Sequence, residues 1–186
     1  QGGRDGVRFA NAVENATVAL DDVTATGKTD KALFIGGRLR GTTLRVTGGN
    51  FAGAKDGIWL NQGVEAASAV EIAGATLAGG GSHALTFVGA LSESALSVTG
   101  GSRFTGTRGC VHFEKMISST AITISGTRTV NTLASGYGIF FTQTITAPSP
   151  IVVTDVSVEG TPDWGLVFQV AMTGGDVSVS NSALIG

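Results

Sequence analysis

Apolar residues occur two apart in short bursts, and the bursts return at a nearly fixed interval. The first burst of each cycle is Val7/Phe9, Leu33/Ile35, Ile58/Leu60, Leu85/Phe87, Val111/Phe113, Ile139/Phe141 and Leu166/Phe168, with starts 26, 25, 27, 26, 28 and 27 residues apart. A single apolar residue follows each: Val13, Leu39, Val64, Leu91, Ile117, Ile145 and Met172. A second burst comes next, at Val18/Leu20, Leu44/Val46, Val70/Ile72, Leu96/Val98, Ile122/Ile124, Ile151/Val153 and Val177/Val179. The cycle closes on Ala25, Phe51, Leu77, Phe104, Val130, Val158 or Leu184. A glycine usually stands two residues beyond, at Gly27, Gly53, Gly79, Gly106, Gly160 and Gly186, and the fifth cycle departs with Thr132.

A spacing of two is the signature of a strand with one buried face. A fixed repeat of this length points to a solenoid. The pattern predicts about seven coils of about 26 residues, each with three short strands, two of them clear. None of these strands can bury its face alone. Hairpins between successive strands would need strong two-residue turn signals. Instead, equivalent positions one cycle apart match, so each strand is expected to pair in parallel with its copy in the next coil, at a spacing of about 4.8 Å. Inward residues then form columns, one running Val7-Leu33-Ile58-Leu85-Val111-Ile139-Leu166 and another from Phe9 to Phe168. A leucine-rich repeat would need a helix or an Asn turn in each cycle, a helical solenoid would need a 3.6 period, and a sandwich would not need the columns.

These columns resemble the right-handed parallel β-helix of the pectin-lyase-like group, and the likeness runs over residues 1–186. It implies an all-β class with a single β-helix. The coils, rich in Gly, Ser, Thr and Ala, also look like passenger domains of bacterial autotransporters and the repetitive β-helical surface proteins of trypanosomatids. That texture implies an extracellular or cell-surface protein, secreted or anchored, acting as a stalk, adhesin or filament component. The fold hosts many functions. A carbohydrate-active lyase or hydrolase with its site elsewhere, and a carbohydrate-binding module, are the alternatives. Gln1–Asp5 is too short to cap the first coil and Gly186 closes the last. Both ends therefore read as uncapped, as in a segment of a longer solenoid or one covered by neighbouring chains.

Composition narrows the function. Charge is sparse and nearly balanced, with 12 basic and 14 acidic residues, so nothing resembles a nucleic-acid footprint. No apolar run is long enough for a helical membrane span. Polygalacturonase-like enzymes carry Asn-x-Asp, Asp-Asp, Gly-His-Gly and Arg-x-Lys in order; here only Asp21-Asp22 matches. No catalytic residue, metal ligand or cofactor is assigned. The lone Cys110 falls in a small-residue column with Gly6, Ala32, Gly57, Ala84, Gly138 and Gly165. His83 reads as a turn residue and His112 as an outward one, both at the surface and unpaired. Glu14, Arg38, Arg40, Glu65 and Glu93 read as a solvated ladder, and Arg45 with Glu71 as a surface salt bridge. The outward Ser and Thr of the second burst fit solubility and β-propensity better than ice binding.

The outward residues of the first burst run Arg8, Phe34, Trp59, Thr86, His112, Phe140 and Val167. Phe34, Trp59 and Phe140 are the candidate contact residues. The options are packing under another chain or further coils, contact with sugar rings, and incidental exposure. Asn15-Ala16-Thr17 is a glycosylation sequon, which makes Asn15 a candidate if the chain passes through a eukaryotic secretory route.

Overall fold

The computed structural model describes residues 4–133, 135–160, 163–169 and 171–185. Gln1 and the closing Gly186 lie outside the described residues. The chain is an all-β parallel solenoid of seven coils, and each coil contributes one strand to each of four seven-stranded sheets. Sheet 1 holds Val7–Phe9, Leu33–Ile35, Ile58–Leu60, His83–Phe87, Gly109–Phe113, Tyr137–Phe141 and Trp164–Phe168. Sheet 2 is built from two-residue strands, Val13–Glu14 to Met172–Thr173. Sheet 3 runs from Thr17–Asp21 to Val177–Ser180 and sheet 4 from Thr24–Gly27 to Ala183–Leu184. In every sheet the strands stack in coil order.

The expected columns form. Val7 pairs with Leu33, Leu33 with Ile58, Ile58 with Leu85, Leu85 with Val111, Val111 with Ile139 and Ile139 with Leu166. One column becomes a pile of near-parallel rings. Phe87 and Phe113 lie 5.1 Å apart, Phe113 and Phe141 4.5 Å, and Phe141 and Phe168 4.7 Å. Offset stacking of this kind adds to the burial each ring already provides. Burial is nearly complete through the middle coils and declines in the last, where Val177 is 37% and Val179 45% exposed.

There are four strands per coil, not three. The fourth was hidden because its inward pair is one apolar residue and one glycine, as in Phe51 and Gly53, both buried. Gly53 has no room for a side chain. A Cβ at Gly53 would lie 1.7 Å from the Asp56 carbonyl oxygen, where the chain turns back toward sheet 1. The fifth coil is also registered differently from the pattern. Phe104 pairs with Thr129, which pairs with Val158, so buried Thr129 rather than Val130 closes that coil. Asn131, not Thr132, takes the glycine place. Its Nδ2 donates to the Tyr137 carbonyl (3.2 Å), and its Oδ1 accepts from the Leu133 amide (2.8 Å).

The turn from sheet 3 to sheet 4 is left-handed in every coil, at Asp22, Gly48, Gly74, Gly100, Gly126, Asp155 and Asn181. Gly, Asp and Asn are the residues that adopt that conformation at least cost.

Candidate functional site

The corner where sheet 4 leads into the next coil's sheet 1 differs in length from coil to coil, yet its backbone is still stacked. The Asp30 amide donates to the Arg4 carbonyl, Lys55 to Asp30, Ser82 to Lys55, Arg108 to Ser82 and Tyr137 to Arg108, at 2.9 to 3.2 Å. This ladder puts a different polar side chain on each successive rung: Arg4, Asp30, Lys55, Ser82, Arg108 and Tyr137. The inward columns, by contrast, repeat apolar residues.

A cavity of about 430 Å³ opens on this corner, lined by Lys31, Lys55, Asp56, Trp59, Gly81, Ser82 and Arg108. At its edge the buried Asp30 carboxylate accepts from Arg4 Nε (2.7 Å) and Lys31 Nζ (2.5 Å), with Lys55 Nζ at 3.8 Å. Burial pushes the Asp30 pKa up, but hydrogen bonds from Lys31 and Arg4 outweigh it and hold the carboxyl below its ordinary value. Asp5 accepts from Arg8 (3.1 Å) and from the Lys31 amide (3.3 Å).

Phe34 and Trp59 are direct partners in sheet 1, as the pattern predicts. They do not form a bare apolar strip. Both are half-buried, with Arg8 Cζ 4.8 Å from the Phe34 ring centroid and Lys31 Nζ 4.7 Å from that of Trp59. Cations over ring faces are held by the ring quadrupole. Phe140 lies two rungs beyond Thr86, with His112 between, and is half-buried against His112 and Tyr137.

The histidines correct the sequence reading: they are neither superficial nor unpaired. His83 belongs to a sheet 1 strand and is 7% exposed, and its ring centroid lies 4.7 Å from that of His112. Its Nδ1 is 2.8 Å from Ser82 Oγ, and its Nε2 is 2.6 Å from the Tyr137 hydroxyl. The reach to Tyr137 spans Gly109, which pairs with His83 on one side and Tyr137 on the other. A Cβ at Gly109 would meet Tyr137 Cε2 at 2.2 Å, so only glycine lets the phenol lie across it. The His83 amide donates to Asp56 Oδ1 (3.2 Å). Ser82 and Asp56 thus wall the cavity on one side and hold His83 on the other.

His112 is parallel to Phe140 (5.5 Å) and tilted against Tyr137 (5.6 Å). Its two ring nitrogens and the neighbouring Thr86 Oγ1 are buried without hydrogen-bond partners. Burial first, and the neighbouring His83 second, push the His112 pKa down to about 4. Burial, then the Glu114 charge, raises that of Tyr137.

The remaining candidates lie apart from this corner. Cys110 is fully buried in its small-residue column, and burial raises its thiol to about 12. Asn15 is exposed, with φ 50°, in the turn between sheets 2 and 3, a conformation Asn adopts readily without any glycan. Arg38 pairs with Glu65 at 3.7 Å within the surface ladder. Arg45 makes its ion pair with Asp21 (3.7 Å) one coil back, while Glu71 is its partner in strand register only. Asp22 sits in the left-handed turn that follows, so Asp21-Asp22 is accounted for by an exposed ion pair and a turn.

Among the described residues no group of three or more His, Cys, Asp or Glu is arranged to hold a metal ion, and no helix is long and apolar enough to cross a membrane. Hydrophobic patterning could not have found this corner, because its residues belong to no alternating run. Counting two back from Leu85, Val111 and Ile139 does place His83, Gly109 and Tyr137 in one column. No protein-family model, curated protein or solved structure matches the chain.

Proposed function

We propose that this chain is an adhesive β-helical segment of a secreted or cell-surface protein, a right-handed parallel β-helix of the pectin-lyase-like kind. It acts by presenting a contact site on a stiff stack. The observation that carries this reading is the concentration of charge at one corner of a chain whose formal net charge is −2. Arg4, Arg8, Lys31, Lys55 and Arg108 gather there, with Asp5, Asp30 and Asp56 among them. Asp30 and Asp5 offset Arg4, Lys31 and Arg8, while Lys55 and Arg108 stand exposed and less opposed, open to a partner. The stacked backbone sets the spacing of the rungs that carry them, which lowers part of the entropic cost of binding.

The test is retention under flow. Beads coated with the protein are expected to hold to glycan-bearing cell surfaces at shear that removes albumin-coated beads. Equal loss of both would overturn the adhesive reading.

A further inference from the structure

We propose that the cavity at the Trp59 corner binds a free dicarboxylic α-amino acid, with its ammonium on Asp56 and its two carboxylates on Lys55 and Arg108. This goes beyond the adhesive reading and does not depend on it.

The buried carboxylate carries the inference. Asp56 is 2% exposed and lines the cavity. Its Oδ1 accepts from the His83 amide (3.2 Å), while its Oδ2 accepts no hydrogen bond among the described residues. No described lysine or arginine forms an ion pair with it, and the one basic nitrogen close by, His83 Nδ1, is 3.6 Å away. A carboxylate taken out of water is costly unless a cation compensates it and its oxygens find donors. An ammonium from a ligand meets both needs. A neutral hydroxyl meets only the second.

The cations set the rest of the ligand. The Lys31 ammonium is committed to Asp30 at 2.5 Å, and its side chain is largely buried. Lys55 is different: its side chain is 62% exposed and reaches Asp30 only at 3.8 Å. Arg108 is exposed and forms no ion pair among the described residues. The Ser82 amide donates to the Lys55 carbonyl (3.0 Å) and the Arg108 amide to the Ser82 carbonyl (2.9 Å). Lys55 and Arg108 therefore stand one rung to either side of Ser82, and all three line the cavity. Two uncommitted cations thus share one cavity with one uncompensated carboxylate. A molecule with two carboxylates and one ammonium answers them charge for charge, and the Arg108 fork matches carboxylate oxygens. A plain dicarboxylate or phosphate would suit the cations but set a further negative charge against Asp56. A plain amine would suit Asp56 but meet Lys55 and Arg108. The volume, about 430 Å³, lies in the usual range for a small-molecule site, and Trp59 gives the methylene chain an apolar wall.

The experiment is calorimetric titration of the full chain with L-glutamate, glutarate, L-glutamine and galacturonate. L-Glutamate is expected to bind, weakening as salt is raised. Glutarate lacks the ammonium and should bind about tenfold more weakly or worse, and L-glutamine, one carboxylate short, about fivefold more weakly or worse, as loss of one charged contact implies. Lys55→Gln and Arg108→Gln should each weaken L-glutamate binding by about fivefold or more at unchanged melting temperature. Asp56→Asn keeps an oxygen for the His83 amide and should bring L-glutamate down to the affinity of glutarate. Should that variant fail to fold, the comparison of L-glutamate with glutarate on the unaltered chain decides the role of the ammonium. No saturable binding of L-glutamate, equal affinity for glutarate, tighter binding of galacturonate, or wild-type affinity in both charge variants would each overturn the proposal.

Discussion

Phe113→Ala tests the architecture most directly, because Phe113 is the middle ring of the interior pile. It is 1% exposed and lies between Phe87 and Phe141, its ring within 5° of parallel to both. Removing a buried aromatic ring forfeits about 2–3 kcal/mol of transfer free energy. The cavity and two broken ring contacts bring the expected loss to about 3–5 kcal/mol. The structure supplies its own control. Phe168 continues the pile but is half-buried in the last coil, with a ring contact to Phe141. Phe168→Ala is expected to cost only about 1–2 kcal/mol, because its surroundings are already partly solvated. Urea unfolding monitored by circular dichroism reads both, with the m-value compared to confirm that the transition itself is unchanged. A Phe113→Ala cost no greater than that of Phe168→Ala would refute the stacked column. A His112→Ala cost greater than that of Phe113→Ala would show that inward and outward faces are exchanged.

The remaining predictions concern the corner and its surroundings. Gly109→Ala should cost about 1–3 kcal/mol by driving Tyr137 off His83, and Tyr137→Leu in the same chain should recover part of that loss in a double-mutant cycle; strict additivity would show the two do not meet. His112 is held neutral when folded, with a pKa of about 4 against an ordinary value near 6.5. Its contribution is therefore complete above the unfolded value and lost as pH falls from about 6.5 toward 4, about 2 kcal/mol of it by pH 5. An NMR titration of His112 with a midpoint near 6.5 would contradict this. Cys110 should resist a thiol reagent at pH 8 until the chain unfolds, since burial holds its pKa at about 12; fast native labelling would refute the packing. Incubation with polyuronate should release no new reducing ends, and turnover abolished by His83→Ala, Asp21→Asn or Asp22→Asn would establish catalysis instead.

The coils were legible because each inward face repeats an apolar residue at a spacing of two, and the same faces recur about 26 residues on. Those signals add over seven copies, so one ambiguous strand does not spoil the count. Legibility failed wherever a buried position is not apolar. The fourth strand pairs one hydrophobe with glycine, as in Leu77 and Gly79, which leaves no alternation to see. In the fifth coil Thr129 is buried beside half-buried Val130 because the strand is registered by Asn131 beneath Gly160 and above Gly106. Hydropathy ranks those two residues the other way. Phe34 and Trp59 were placed correctly as neighbours, but the cations over their rings come from the preceding strand and from the linker, which no strand pattern aligns.

The location of the candidate site follows from the economy of a stacked repeat. In sheets 1 and 3 each inward side chain packs against its counterparts one coil above and below, so a polar replacement there disturbs two neighbours as well as itself. The sheet 4 to sheet 1 corner is bound to its neighbours by backbone amides, from Arg4 through Asp30, Lys55, Ser82 and Arg108 to Tyr137. Backbone pairing is indifferent to side-chain type, so each rung can carry a different group while the ladder keeps its pitch. The ladder also lets buried polar groups persist: Asp30 is neutralised by Arg4 and Lys31, and Asp56 accepts the His83 amide. Burying those carboxylates without such partners would cost several kcal/mol each. The corner can therefore vary in chemistry while the hydrophobic columns hold its position, and a ligand spanning several rungs meets side chains from consecutive coils at fixed spacing. For a protein of this build, substitutions that alter what is bound belong at the corner column, and substitutions that alter stability belong in the ring pile. Charge variants at Lys55 and Arg108 should change binding without moving the melting temperature, and Phe113→Ala should do the reverse.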